Sequence, residues 1–238
     1  MVHGTATLVP GAIDATLAAT WLQALDRHYD ACVARADADF DAYSSSLRLR
    51  SVPGIEVETM LAQVFRGAVA AILRDDFGPR VACDVDQCWA RRQYPLDRYP
   101  PRHAAHRWHQ DGALAFDFLA HAGTAPAAAD LLHMATCWIA LTPCGGDAPG
   151  LELVCDAGTA LLPLDALDDS AVRVGHGSAA FERPVLEPGD ALVFGGGVLH
   201  HTHVTPTMTR ARTSVELRFF AADRIPDRLR GDRFTNVH

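Results

Sequence analysis

The chain reads as an α+β protein, mainly β, with helices at the start packed on the outside of a β sandwich or barrel. Two observations carry that reading. Apolar residues recur at helical spacing only within residues 1–80. From about residue 81, short apolar or alternating runs are separated by Pro and Gly instead.

The elements follow in order. Residues 11–37 read as an amphipathic helix, because Ile13, Leu17, Trp21, Leu25, Tyr29 and Cys32 recur at three- and four-residue steps. Leu47 to Pro53 reads as a linker with some extended structure. Residues 54–75 repeat the helical pattern through Val57, Leu61, Val64, Phe65, Ala68, Val69 and Ile72, and Phe77-Gly78-Pro79 stops it. Strands are expected at Val81–Tyr94, Ala113–Leu119, Ala135–Leu141, Leu151–Cys155, Ala191–Phe194 and Thr213–Phe220. Pro95–Arg107 and Pro163–Arg183 read as long irregular segments of the kind that serve as lids. We therefore expect one domain over 1–238: a helical part (1–80), a β core (81–222) and a tail (223–238).

Composition narrows the function. The length and the 49% hydrophobic content suit a single sizeable core. The net charge of −8 argues against a nucleic-acid partner. No run of apolar residues is long enough to span a membrane. Met1-Val2-His3-Gly4 lacks the basic start and apolar run of a signal peptide, so a cytoplasmic protein is expected. None of the six cysteines forms Cys-x-x-Cys, which favours reduced thiols over zinc knuckles. The chain has no lysine, so a fixed positive side chain that binds an anion must be arginine, with its planar bidentate fork.

The chemistry-bearing pattern is Arg107-Trp108-His109-Gln110-Asp111-Gly112, joined by His200 downstream. His-x-Asp in an extended segment places both side chains on one face. A second histidine from a distant strand completes a 2-His-1-carboxylate triangle, which suits Fe(II) and leaves three positions open. In a chain with twelve histidines His-x-Asp is weak alone, so its surroundings carry the weight. Those are Gly189-Asp190 ten residues before His200, Cys137-Trp138-Ile139-Ala140-Leu141-Thr142, Asp147 to Leu153, and Arg212-Thr213-Ser214.

Together these residues resemble the phytanoyl-CoA dioxygenase family of Fe(II)/2-oxoglutarate oxygenases, well over 85–222 and loosely before. The resemblance implies a double-stranded β-helix core, jelly-roll and cupin-like. It implies His109, Asp111 and His200 as iron ligands, and Arg212 as partner of the distal carboxylate of 2-oxoglutarate. Thr202 and Trp138 match positions lining the same pocket. Ser214 shares a strand face with Arg212 and could add a hydrogen bond, and Gln93 is a further candidate for the cosubstrate. The implied activity is hydroxylation of a small molecule by dioxygen, with release of succinate and CO2. Halogenases of this kind carry a small residue where Asp111 stands, so the carboxylate favours hydroxylation; desaturation, epoxidation or ring formation use the same triad.

Alternation turns His201 away from His200. His203 reads as a surface or turn residue, and His103 and His106 as solvated loop histidines. Gly195-Gly196-Gly197 reads as a tight bend, since neither a helix nor Lys-Ser/Thr follows. No arginine-rich patch argues for an acyl-CoA substrate, so an amino acid or another small polar metabolite is preferred. The alternative from a different class is a non-catalytic cupin-like module binding a metal or a sugar. A sugar-binding barrel has no need for an inward arginine beside the metal.

Overall fold

The strand Arg212–Ala221 (later β12) shows how the sequence builds the molecule. It is buried along its whole length. Thr213, Val215, Leu217 and Phe219 point one way, and Val215, Leu217 and Phe219 join an apolar core with the helices. Arg212, Ser214, Glu216 and Arg218 point the other way, into the interior of a sandwich, as period-two alternation requires.

The computed structural model describes residues 5–33, 40–114, 116–121, 124–154, 158–231 and 233–237. Met1 to Gly4, the 34–37 end of the expected first helix, Ala115, Cys155 and His238 lie outside the described residues. The strands are β1 (Ala6–Val9), β2 (Phe40–Asp41), β3 (Ser46–Arg48), β4 (Val81–Asp84), β5 (Trp89–Gln93), β6 (His109–Gln110), β7 (Met134–Ala140), β8 (Gly150–Val154), β9 (Phe181–Glu182), β10 (Ala191–Gly195), β11 (Leu199–His203), β12 (Arg212–Ala221) and β13 (Phe234–Val237). The helices are α1 (Ala15–Val33), α2 (Val57–Val64), α3 (Gly67–Phe77) and α4 (Asp169–His176).

Among the described residues these strands form two antiparallel sheets. The major sheet runs β1-β10-β7-β12-β5-β3-β2, with β4 joining β12 to β13. The minor sheet runs β6-β11-β8-β9. This is the jelly-roll, double-stranded β-helix architecture that the sequence predicts. Helices α1 to α3 cover the outer face of the major sheet through Trp21, Leu25, Tyr29, Met60, Leu61, Leu73 and Phe77. The inner faces of both sheets meet around Trp138, Leu151, Leu153, Leu192 and Phe194.

Several boundaries differ from the sequence reading. The helical pattern of 54–75 is two helices, broken where Arg66 is extended and Gly67 takes φ +53°. Leu47–Pro53 is a strand end and one tight turn, because Leu47 is buried against the core and β3 pairs with β5. The run Val81–Tyr94 is two strands separated by a turn at Val85–Gln87. The described part of Ala113–Leu119 is not a strand. The Asp117 carboxylate accepts from the amides of Leu119 and Ala120, closing a turn that outcompetes ladder pairing. Pro163–Arg183 contains α4, capped by Asp168 accepting from the Ser170 amide. The tail ends in β13, paired with β4, and β1 pairs with β10; both are four-residue edge strands without clear alternation.

Candidate metal centre

β6 and β11 set the site. They are antiparallel neighbours in the minor sheet, and His200 sits directly opposite His109. The backbone turns at Asp111 into a single 3-10 turn, Asp111–Ala113. Gly112 allows that turn to pack: a Cβ there would meet the Leu131 side chain at 2.4 Å and the Gly196 carbonyl at 2.9 Å. The Gly112 amide donates to the Gly196 carbonyl, so the glycine bend before β11 is fastened to the turn after β6.

One ligand atom each from His109, Asp111 and His200 lies within 4.8 Å of the others. The Asp111 carboxylate is 3.7 Å from Nε2 of His109 and 3.8 Å from Nε2 of His200. Each imidazole uses its other nitrogen on a backbone carbonyl two residues back. His109 Nδ1 reaches Arg107 at 2.7 Å, and His200 Nδ1 reaches Val198 at 3.0 Å. Those contacts fix Nδ1 as the protonated nitrogen and free the Nε2 lone pairs, as metal-ligating histidines require. Burial, and then the nearby His109, pull His200 down to about 4, so it is neutral near pH 7. Burial alone would raise the Asp111 carboxyl; Arg218, the two histidines and the Thr136 hydroxyl outweigh it and hold Asp111 ionised. Two imidazoles and one carboxylate form a donor set that suits iron.

Arg212 lies in the same cleft, with His106, Thr136, Trp138, Thr202 and Glu216. It is fully buried, and its Nε, Nη1 and Nη2 have no hydrogen-bond partner among the described residues. Its guanidinium lies 4.9 Å from the Trp138 ring centroid. Ser214 Oγ and Trp138 Nε1 are likewise buried without a partner. A buried cation without an anion is costly, and these orphaned donors are a cradle for a carboxylate. Burial lowers Arg212 to about 10, which leaves it charged near neutrality.

The neighbouring arginines are spoken for. Arg210 is exposed and sits 3.8 Å from Asp147. Arg218 contacts Asp111 at 3.2 Å and Glu216 at 3.0 Å. Glu216 also accepts from Arg91 at 3.0 Å. Arg91 lies on the inward face of β5 and is buried. Gln93 shares that face and pairs with Arg212 in register, but its amide is turned to His103 at 2.9 Å and to the Tyr99 hydroxyl. Thr202 and Trp138 line the cleft, as expected.

The loop histidines correct an expectation. His103 is buried, bonded to Ser45 and Gln93 and packed edge-on against Tyr94 and Tyr99. His106 is half-buried with its ring 5.1 Å from that of His109, at the mouth of the cleft. A proline-rich sequence gives no signal for either anchor. His201 turns outward under α4, bonded to the buried Glu152 at 2.6 Å and lying 4.0 Å from the Trp108 ring. Gln110 braces the site: its amide donates to the carbonyls of Ala160 and Gly197 and accepts from the Leu162 amide.

Comparison with known proteins agrees with this geometry. The family model for phytanoyl-CoA dioxygenase (PhyH) matches residues 4–211. The chain belongs to the phytanoyl-CoA dioxygenase family. Arg212 falls one residue beyond the matched span, so its role rests on the structure. No curated protein matches the chain. Among solved structures, this PhyH-family chain is similar to SnoK, a non-heme α-ketoglutarate-dependent carbocyclase from nogalamycin biosynthesis (14% identity, TM-score 0.67, covering 100% of this chain and 93% of that one). It is similar to SnoN, the non-heme α-ketoglutarate-dependent epimerase from nogalamycin biosynthesis (16%, TM-score 0.60, 99% and 94%). It is also similar to EctD from S. alaskensis with 2-oxoglutarate and 5-hydroxyectoine (14%, TM-score 0.64, 93% and 73%). At these identities the likeness is one of fold. No helix among the described residues is long and apolar enough to cross a membrane.

Proposed function

We propose that this PhyH-family protein is an Fe(II)/2-oxoglutarate-dependent dioxygenase that hydroxylates a small-molecule metabolite and releases succinate and CO2. One observation carries the reading: a His-Asp-His donor triangle shares a cleft with a buried arginine whose guanidinium has no hydrogen-bond partner among the described residues. His109, Asp111 and His200 would hold the iron. Arg212, with Ser214 and Trp138 beside it, would take the distal carboxylate of the oxo acid. Iron and oxo acid together supply the electrons that activate dioxygen. The protein's residues hold the donors in place, neutralise the dicarboxylate and keep water out.

The cleft is narrow, with about 10 Å³ of free space, and His106 lines it beside His109. A larger cavity of about 820 Å³ shares His106 and Thr202 with the cleft and is walled by Trp108, Leu164 and Leu167. Its volume suits a small molecule, although its lining includes the outward-facing His201 and none of His109, Asp111 and His200.

A second outcome is favoured by the fold neighbours. SnoN is an epimerase and SnoK a carbocyclase, so inversion at a carbon or ring closure fits the same machinery. Anaerobic titration of 2-oxoglutarate into the Fe(II)-loaded protein, followed by the metal-to-ligand absorption band, tests the cofactor reading. Succinate release across a metabolite panel, with product masses, separates oxygen insertion from isomerisation or loss of two hydrogens. No absorption band with any 2-oxo acid would sink the proposal.

A further inference from the structure

Asp111 is carried by the minor sheet but held by the major one. Thr136 on β7 and Arg218 on β12 are direct register partners in the centre of the major sheet. The Thr136 hydroxyl donates to Oδ2 of Asp111 at 2.5 Å. It accepts from Nη1 of Arg218 at 3.0 Å. Nη2 of Arg218 donates to Oδ1 of Asp111 at 3.2 Å. Arg218 is itself fixed by Glu216 at 3.0 Å, and Glu216 by Arg91 at 3.0 Å. All five residues are buried.

We propose that Thr136 and Arg218 form a positioning clamp that fixes the orientation of Asp111 for the metal. The inference rests on the metal reading above and extends it to two residues outside the donor triangle. Its physical basis is rotational. The last torsion of an aspartate is broad and soft, and Asp111 leaves β6 in a turn, so the strand does not set its carboxylate plane. Two donors from a rigid sheet, one on each oxygen, set it. The clamp also bridges the sandwich, because Asp111 follows the minor-sheet strand bearing His109, while Thr136 and Arg218 belong to the major sheet. A metal at Asp111 would then sense the spacing of the two sheets. Each half of the clamp has a distinct requirement. Thr136 must supply a hydroxyl that donates and accepts at once. Arg218 must reach Thr136, Asp111 and Glu216 together, which a planar fork does and an ammonium does not.

The test uses the full chain with Co(II) as a spectroscopic stand-in for Fe(II). Thr136→Val is nearly isosteric and deletes only the hydroxyl; Thr136→Ser keeps it; Arg218→Lys keeps the charge and loses the fork. Co(II) affinity and the ligand-field spectrum are read well below each variant's unfolding temperature, with circular dichroism confirming the fold, so lost stability does not enter. Removing a residue that hydrogen-bonds to a metal ligand typically costs roughly 10–100-fold in metal affinity. A loss of that order is expected in Thr136→Val and Arg218→Lys, with an altered spectrum, while Thr136→Ser stays within a few-fold of the parent. Parental affinity and spectrum in Thr136→Val would overturn the clamp alone. So would a Thr136→Ser variant as weak as Thr136→Val, since packing rather than the hydroxyl would then matter. If the unaltered protein binds neither Co(II) nor Fe(II), the metal reading fails and the clamp with it.

Discussion

His109 and His200 face each other across one antiparallel register pair, with ring centroids 4.2 Å apart. The Asp111 carboxylate lies 3.7 Å from Nε2 of His109 and 3.8 Å from Nε2 of His200, so the three donors converge on one point. The backbone contacts of the two histidines also leave both Nε2 atoms free. The pairing therefore fixes which downstream histidine completes the site. Slipping β11 by one residue would bring His201 inward and take His200 out.

That register gives the first prediction. His200→Ala should abolish stoichiometric Co(II) or Fe(II) binding, measured by titration of purified protein. His201→Ala should keep the metal and lose stability instead, because it strips a partner from the buried Glu152, leaving Arg173 and Arg183 to pair with it. Lost metal in His201→Ala with metal retained in His200→Ala would reverse the assignment.

Arg212 should show a trade between stability and binding. With no hydrogen-bond partner among the described residues for any of its guanidinium nitrogens, its burial in the cosubstrate-free protein is a net cost. Arg212→Met should raise the unfolding temperature of the free protein by the equivalent of about 1–3 kcal/mol. The same change should weaken 2-oxoglutarate by roughly 2–5 kcal/mol, the usual range for truncating one side of a buried charge pair. Arg212→Lys should fall between. Calorimetric titration and thermal unfolding read the two effects separately. An Arg212→Met variant that is both less stable and equally able to bind would show that the arginine serves packing.

The sequence made the metal residues legible for local reasons. His-x-Asp and the ten-residue interval from Asp190 to His200 are short-range, and the structure explains the interval: Gly189 takes φ +97°, where a Cβ would meet the Ile13 carbonyl at 2.4 Å, and Asp190 accepts from the amides of Glu187 and Gly11. Arg212 was legible because the chain has no lysine to compete with it. The inner face of β12 was only half legible. Its parity groups Arg212 with Glu216 and Arg218, but parity does not tell which arginine is paired. That depended on Asp111, Thr136 and Arg91 arriving from three other elements. The anchoring of His103 by Ser45 and Gln93 was hidden for the same reason, since it joins segments far apart in sequence.

His103 sets an acid limit on stability. Burial first, then Arg91 and Arg212, lower it from 6.5 to about 4. Gln93 presents an amide NH to its Nε2 and Ser45 takes its Nδ1, an arrangement for the neutral ring. Above pH 6.5 neither folded nor unfolded chain protonates it, and stability is flat. Between 6.5 and 4 the unfolded chain takes up the proton and the folded chain does not, so stability falls as pH falls. The slope from this group is at most about 1.4 kcal/mol per pH unit. Urea unfolding at pH 7, 6, 5 and 4.5 should show the decline, and His103→Gln should make it shallower. An identical slope in the variant would assign the acid sensitivity to other histidines.

Charge balance predicts that metal and cosubstrate bind as a pair. Asp111 and Glu216 are held ionised: burial opposes it for both, but Arg218 for Asp111, and Arg91 and Arg218 for Glu216, outweigh it. Arg91 and Arg218 cancel those two negative charges, and Arg212 leaves one positive charge over. Fe(II) alone would raise that to three in a buried cleft, and 2-oxoglutarate alone would bring it to minus one. Both together return it to plus one, which is the protein's own resting balance. Each ligand should therefore tighten the other by the same factor, as linkage demands, in the range of roughly 5–150-fold typical of coupled sites. Arg212→Met removes the leftover charge, so Fe(II) alone then leaves two rather than three. 2-Oxoglutarate alone then leaves minus two rather than minus one, so metal binding should tighten and oxo-acid binding weaken while the coupling between them persists. Four calorimetric titrations close the cycle: Co(II) with and without 2-oxoglutarate, and 2-oxoglutarate with and without Co(II). Equal and independent affinities in all four would mean that the carboxylates of the cosubstrate do not reach this cleft.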